Sequence, residues 1–310
     1  MKLVVMIPAY NEEANIGKVI REIKQTIEST VIVLNDGSTD NTFKEAKKAG
    51  ADYIFSNKRN LGLARTFKIG LEKALELEAD IIVNTDADFQ YDQKEIPRII
   101  KPIIENKADI VLTDRNVKNL KHMPTGKRYG NMLSTFIASL IAGYNIKDAQ
   151  SGFRAFSRES ALRLNILSDY TYVQETIIQA VDKKLKIVQL PCKFKKREGG
   201  KSRLISNIGS YAWRAGSFML RSYIRYKPLK SFVILGTIPF TLGLILAIRF
   251  IIFFINGIGS GHLQSLILAA ILIIVGFQIA ILGLIADTIS TNRRIEEEIL
   301  YKLKKSCIKD

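Results

Sequence analysis

Short apolar runs punctuate the chain as far as about Leu190, at Leu3–Ile7, Val31–Leu34, Tyr53–Phe55, Ile81–Val83 and Ile110–Leu112. Between them lie segments whose apolar residues recur at helical spacing, such as Glu13–Ile27 and Ala64–Leu77. Buried strands alternating with amphipathic helices predict βαβ units, and hence an α/β domain built on a mostly parallel sheet. Ligands of such sheets sit beyond the carboxyl ends of the strands. The loops after the first, second and fourth runs are Pro8–Glu13, Asn35–Asp40 and Asp86–Gln90. They are therefore expected to gather on one edge.

The pattern changes after residue 190. Lys193, Lys195, Lys196, Arg197, Lys201 and Arg203 form a basic stretch. Apolar residues from Ile205 to Leu220, Trp213 among them, then interleave with Arg214, Arg221 and Arg225, which predicts amphipathic helices lying in a membrane interface. Ser231–Ile255 and Leu263–Ala286 are each long and apolar enough to span a bilayer. The loop between them, Asn256–His262, has no Lys or Arg, whereas Lys227, Lys230, Arg293, Arg294 and the Lys302–Lys305 cluster lie outside the pair. The positive-inside rule then places both termini and the α/β domain in the cytoplasm. The expected organisation is an α/β domain over 1–203, interfacial helices over 204–230, two spans within 231–287 and a basic tail over 288–310. Gly236, Gly243, Gly276 and Gly283 would let spans pack closely, including those of a homo-oligomer.

Charge sharpens the picture. A formal net charge of +16 and an isoelectric point near 9.7 call for an anionic partner. No nucleic-acid recognition motif is present, and the basic residues crowd ahead of the first span, so a membrane surface and a phosphorylated substrate fit better than nucleic acid. Cys192 and Cys307 are the only cysteines, too few and too far apart for a disulfide framework or a metal cluster. The start of the chain, a short strand-like run ended by Pro8, does not read as a signal peptide.

Asp86-Ala87-Asp88 closes the apolar run Ile81–Val83. Two carboxylates one residue apart at a strand's carboxyl end can share a hard divalent cation and present it to a phosphate. Asn11 is placed to cap the first helix, with Glu12 and Glu13 near its positive end. Asn35–Asp40 reads as a turn leading into a second capped helix. Asn60-Leu61-Gly62-Leu63-Ala64 reads as loop, glycine and helix start, and brings backbone N–H groups near a possible phosphate. Together these features point to an enzyme that handles a nucleotide-diphosphate donor at a membrane surface.

Ile7-Pro8-Ala9-Tyr10-Asn11-Glu12, Asn35–Asp40, Asn60-Leu61-Gly62, Asp86-Ala87-Asp88 with Gln90, and Ser151-Gly152-Phe153-Arg154 resemble, in order and spacing, the GT-A family 2 glycosyltransferases over residues 1–203. With the two C-terminal spans, the chain is similar to the polyprenyl- and dolichyl-phosphate hexosyltransferases. The resemblance implies a GT-A (Rossmann-like) fold and roles by position. Pro8, Tyr10 and Glu12 would line the base and ribose pocket, and Asp36 would hold base or ribose. Asp86, Asp88 and Gln90 would hold Mg²⁺ or Mn²⁺ and the donor diphosphate. Arg115 and Arg128 would hold the acceptor phosphate. Arg197, with Lys201 and Ser202, would close over the diphosphate. Asp148 and Glu175 would stand near the acceptor as catalytic or orienting carboxylates; the alternatives are that Asp148 only braces the turn before Ser151 and that Glu175 forms a salt bridge to a lysine. Where the family's usual turn has two aspartates, this chain has Asn35 before Asp36, which leaves the base open.

The chemistry implied is inverting transfer of a hexose from a nucleotide sugar, GDP-mannose or UDP-glucose, to dolichyl or polyprenyl phosphate. Cations at the leaving diphosphate would stabilise its developing charge. An acceptor phosphate is already anionic and needs orientation more than deprotonation. Lys127-Arg128 opens an apolar stretch, Met132–Ile141, that would meet a membrane at headgroup depth. Two other readings compete: a processive polysaccharide synthase, whose Gln-x-x-Arg-Trp motif is missing here, and a non-catalytic membrane-anchored nucleotide-sugar binding subunit.

Overall fold

The computed structural model describes residues 1–120, 123–168, 171–196, 221 and 223–307. They divide into two compact units, Met1–Ala215 with Ile299–Asp310, and Gly216–Glu298. The first unit carries seven strands, β1 (Leu3–Ala9), β2 (Thr30–Asn35), β3 (Tyr53–Ser56), β4 (Ile81–Asn84), β5 (Ile110–Asp114), β6 (Arg154–Ser157) and β7 (Ile187–Pro191). Around them lie α1 (Ile16–Thr26), α2 (Thr42–Lys48), α3 (Leu63–Glu76), α4 (Ile96–Ile104), α5 (Thr125–Ala142), α6 (Arg158–Arg163) and α7 (Val173–Asp182).

The strands form one sheet in the order β3-β2-β1-β4-β6-β5-β7. All pairings are parallel except those of β6, which runs antiparallel between β4 and β5, with Ala155 opposite both Val83 and Val111. Both faces are covered, which is why the central strands read as unbroken apolar runs. Val4 and Met6 of β1 face Phe67 and Leu71 of α3. Val5 and Ile7 face Ile16, Val19 and Ile20 of α1, in the cluster that includes Ile96, Ile99 and Ile103 of α4. Each fully buried Ile or Val contributes roughly 2 kcal/mol by removal from water. Pro8 is tolerated within β1 because the ladder to β4 ends at Met6–Asn84, so its missing N–H breaks no pairing on that side.

Between β1 and β4 the chain order reverses direction across the sheet, making a topological switch point. The acidic loop after β4 and the loop after β1 both open there.

The second unit holds α8 (Pro228–Ile255) and most of α9 (Leu263–Cys307). Both are long and apolar enough to cross a membrane, and their most apolar windows are only 6% and 17% buried, unlike core helices of a soluble protein. Gly236 and Gly276 bring the two backbones together: a Cβ on Gly236 would lie 2.6 Å from the Gly276 carbonyl oxygen. Gly243 approaches Ala269 in the same way. These small residues pack α8 on α9 within one chain. Residues 288–307 continue α9 as helix, where the sequence suggested a tail. Tyr301 is buried in the first unit, with its hydroxyl 2.8 Å from Glu159 Oε1 and Arg163 stacked on its ring.

Candidate active site

The loops after β1 and β2 are latched together. Asn11 takes a left-handed conformation, φ 52°, and does not cap α1; the residue at that helix start is Asn15, whose side chain makes no capping bond. Asn11 instead accepts from the Thr39 amide at 2.7 Å and donates its own N–H to Ser38 Oγ. Glu12 N–H donates to Thr42 Oγ1, and Glu13 Oε2 accepts from the Asn41 amide at the start of α2. Asp40 accepts from the Thr42 amide and hydroxyl, so it braces the entry to α2 from two residues ahead of its first residue. Four internal bonds lower its carboxyl despite partial burial.

Asp36 is buried, and both its oxygens are engaged. Oδ1 accepts from Asn57 Nδ2 and the Leu61 amide, each at 2.9 Å, and Oδ2 accepts from the Gly62 amide at 3.0 Å. The backbone N–H groups expected to face a phosphate at Leu61 and Gly62 therefore hold Asp36. Gly37 sits at φ +69°, and a Cβ there would collide with the backbone of Arg59 at 2.5 Å, so only glycine lets this turn fit against the Arg59–Gly62 loop.

The acidic loop is half-exposed at the sheet's switch point. Asp88 Oδ1 accepts from the Gln90 amide, and Phe89 is held at φ 60° between them. Gln90 pairs with Lys195 in both directions: the Lys195 amide donates to Gln90 O at 2.7 Å, and Gln90 Nε2 donates to Lys195 O at 3.2 Å. Tyr91 forms an antiparallel bridge with Phe194. The acidic loop is thus tied to the root of the basic turn that continues at Arg197. Lys18 and Lys195 lie 6.0 Å and 5.1 Å from the ring centre of Phe89, the residue next to Asp88. Arg197, Lys201 and Ser202, like the interfacial segment up to Leu220, lie outside the described residues.

Beneath Asp86 lies a shelf made by Ser151-Gly152-Phe153. Tyr91 OH accepts from the Gly152 amide, Asn84 Nδ2 donates to the Gly152 carbonyl at 2.7 Å, and Asn84 also donates to Tyr172 OH. Burial pushes both phenols well above their ordinary range, and the Asp86 charge adds to this, so both hydroxyls stay protonated. A Cβ on Gly152 would stand 2.8 Å from Asp86 Oδ1 and 3.0 Å from Tyr172 OH. Any larger residue here would push on the Asp86 carboxylate, which lies against this backbone. Gly152→Ala is expected to displace Asp86 and lower transfer by up to about a hundredfold, the scale of a ~1 Å misplacement, with a modest loss of thermal stability. Unchanged kcat and an unchanged divalent-metal titration would refute the shelf.

Arg154 anchors the shelf from below. Its fully buried guanidinium donates to the carbonyls of Ser151, Val173 and Ala149 and to Thr176 Oγ1. Burial lowers it to about 10, which still leaves it charged at neutral pH. Arg115, at the end of β5, forms a buried bidentate pair with Asp148: Nε to Oδ2 at 2.7 Å and Nη2 to Oδ1 at 3.0 Å. Its guanidinium lies 5.2 Å from the Phe194 ring centre. Burial alone would raise Asp148, but the Arg115 charge and hydrogen bonds outweigh it and hold the carboxyl below its usual range. Asp148 also accepts from the Gln150 amide, bracing the turn into the shelf. Glu175 is buried at the start of α7 and accepts from the Leu167 and Ser168 amides. Arg128 donates to the carbonyls of Leu120 and Met123 just ahead of α5, with Nε buried and without a hydrogen-bond partner among the described residues.

The structure therefore gathers Pro8, Tyr10, Glu12, Asp36, Asp86, Asp88 and Gln90 on the carboxyl edge, with Arg115 at the end of β5 on the same edge. Asn84, Tyr91, Tyr172 and Lys18 join them and carry no sequence signal: each reads as ordinary strand or helix filling.

Comparison with known proteins agrees with this geometry. Glucosyl-3-phosphoglycerate synthase from Mycobacterium tuberculosis, solved with Mn²⁺, UDP and phosphoglyceric acid, superposes with a TM-score of 0.58 at 21% identity, covering 72% of this chain and 78% of that one. At that identity the likeness speaks to the fold. The UDP-N-acetylglucosamine–dolichyl-phosphate N-acetylglucosaminyltransferase of Methanococcus voltae is 35% identical over 212 residues, 61% of this chain and 83% of its own length. Glycosyltransferase AglJ of Haloferax volcanii is 26% identical over 309 residues, 97% of both chains. The family model for glycosyl transferase family 2 matches residues 4–164, just over half the chain and every strand of the sheet but β7. That match spans the acidic loop at the sheet's switch point, and the chain belongs to glycosyl transferase family 2.

Proposed function

We propose that this glycosyltransferase moves a hexose from a nucleotide-diphosphate sugar to a polyprenyl or dolichyl phosphate, with inversion, at the cytoplasmic face of a membrane. The observation that carries the reading is the Asp86–Gln90 loop, tied through Lys195 to the basic turn, in a chain that also has two helices of membrane length. The name of the Methanococcus voltae relative supports a lipid-phosphate acceptor.

Asp86, Asp88 and Gln90 offer only oxygen donors, half-exposed at the mouth of the site, which suits a hard divalent cation that keeps water and diphosphate oxygens as its other ligands. Among the described residues no cluster of three or more His, Cys, Asp or Glu competes for it. Mg²⁺ or Mn²⁺, when bound, would offset the charge building on the leaving diphosphate. Pro8, Tyr10 and Glu12 bind the nucleoside on the latched loops, and Asp36 fixes the loop beneath them. Lys18, Lys195, Arg197, Lys201 and Ser202 supply charge and hydrogen bonds to the diphosphate. Arg128 and Lys127 attract the acceptor phosphate. Asp148 and Glu175 are committed, one to Arg115 and the other to backbone amides, and this fits a nucleophile that needs no proton removed. Arg115 positions the loop that carries Gln150 and Gly152.

The test is a donor screen in inverted membrane vesicles with labelled UDP-GlcNAc, UDP-glucose and GDP-mannose and added polyprenyl phosphate. Label in a chloroform-soluble, acid-labile product is expected. Label only in a water-soluble polymer, or nucleoside diphosphate release independent of lipid phosphate, would overturn the acceptor; product only in right-side-out vesicles would overturn the sidedness.

A further inference from the structure

Asn84 is the last residue of β4 and is fully buried. Ile82, two residues earlier, packs in the cluster that holds Phe67 of α3, and Asn84 shares that face of the sheet. Both hydrogens of its side-chain amide are placed: Nδ2 donates to the Gly152 carbonyl at 2.7 Å and to Tyr172 OH at 3.0 Å. The Tyr172 oxygen is therefore the acceptor in its contact with Asn84, and its own hydrogen must go to a different oxygen. Tyr172 is 1% exposed, so bulk water does not take that hydrogen, and leaving a buried donor unpaired is costly. The ring fixes where the hydroxyl stands. It stacks on Phe67 with centroids 3.8 Å apart and planes 11° from parallel.

The nearby acceptor is Asp86. Its two carboxylate oxygens and the Tyr172 oxygen all lie within 3.1 Å of one point, the position a Cβ on Gly152 would take. A charged acceptor holds a hydroxyl hydrogen more strongly than a neutral one. We propose that Tyr172 is a positioning residue for the acidic loop: its hydroxyl donates to the Asp86 carboxylate and, with Asn84 behind it, sets the orientation in which Asp86 meets a divalent cation. The inference rests on the metal assignment made above for Asp86, Asp88 and Gln90, and adds to it a residue at the start of α7. Asp88 is braced locally, by the amide of Gln90 two residues on, whereas Asp86 is braced across the fold. Carboxylate ligands are commonly held by such outer hydrogen bonds, and losing one weakens metal binding. A carboxylate oriented beforehand also has less rotamer freedom to lose when the cation arrives.

The test compares the full chain in detergent with Tyr172→Phe, which keeps the ring stacked on Phe67, and with Tyr144→Phe as a control. Tyr144→Phe deletes a hydroxyl that donates to the Ile187 carbonyl, at the amino end of β7 and away from the acidic loop. Mn²⁺ binding is titrated from the electron paramagnetic resonance of the free ion, with UDP and with GDP in separate arms and no acceptor. Tyr172→Phe is expected to bind Mn²⁺ about 10- to 100-fold more weakly, while Tyr144→Phe binds it as wild type does. In the transfer assay the Mn²⁺ concentration giving half the maximal rate should rise by the same factor, and kcat at saturating Mn²⁺ should return close to the wild-type value. A hydroxyl that only supports the fold would instead lower the melting temperature and leave Mn²⁺ affinity unchanged. That result, or equal weakening in both variants, overturns the proposal. A wild-type chain that binds no Mn²⁺ in either arm would overturn the metal assignment and this inference with it; wild-type binding matched by Tyr172→Phe overturns this inference alone.

Discussion

Asp88→Ala is expected to reduce transfer by at least a hundredfold at saturating donor while leaving the fold intact. Asp88 is half-exposed and accepts from the Gln90 amide, and it lies outside the hydrophobic core, so little packing is lost. The expected loss corresponds to ~3 kcal/mol or more of transition-state stabilisation, the scale of removing one preorganised electrostatic group. Wild-type turnover should be abolished by EDTA and restored by Mg²⁺ or Mn²⁺. For Asp88→Ala, restoration should require a much higher metal concentration and remain incomplete. Gln90→Ala is expected to act differently, since its side chain also reaches the Lys195 carbonyl. It should loosen the segment leading to Arg197 and raise the donor KM more than it lowers kcat. Full turnover by Asp88→Ala in excess EDTA would remove the metal from the site.

The strands and the acidic loop were legible because their signals are local. A strand buried on both faces must be apolar throughout, so β1, β2 and β4 announce themselves, and the residue where the apolar run stops marks the sheet edge. β6 escaped because Arg154-Ala155-Phe156-Ser157 opens with an arginine, and only the structure shows that guanidinium buried among carbonyls. The same limit hid the Arg115–Asp148 pair, whose partners are 33 residues apart. The Asn60–Ala64 segment reads, by analogy with helix starts that bind phosphate, as bringing backbone N–H groups near one, whereas those of Leu61 and Gly62 donate to Asp36, 25 and 26 residues earlier. Local patterns reveal which groups are available; pairing across the fold decides which are already engaged. The hairpin was legible for the opposite reason, since its composition alone sets it apart and the end of α9 needed only one more clue, the burial of Tyr301.

Asp148→Asn should be the most destabilising of the conservative substitutions at the site. It leaves Arg115 charged, buried and deprived of its bidentate partner, and breaking such a pair from one side costs about 3–5 kcal/mol. The loss should depend on pH with a definite sign. The folded-state carboxyl of Asp148 lies below its unfolded value, so its contribution is complete above the unfolded pKa of about 4 and disappears as pH falls through the lower folded value. Thermal unfolding of wild type and Asp148→Asn should therefore be far apart at neutral pH and converge in acid. Curves that stay parallel down to acid pH would show that the carboxylate charge is not what stabilises the pair. The double substitution Arg115→Met, Asp148→Leu separates folding from catalysis. Replacing both charges by apolar groups of similar volume should recover most of the stability. If transfer recovers with it, the pair serves only to hold the loop bearing Gln150 and Gly152. If transfer stays low while the protein is stable, Arg115 acts on the acceptor phosphate directly, and the positioning role assigned to it above gives way to a phosphate clamp.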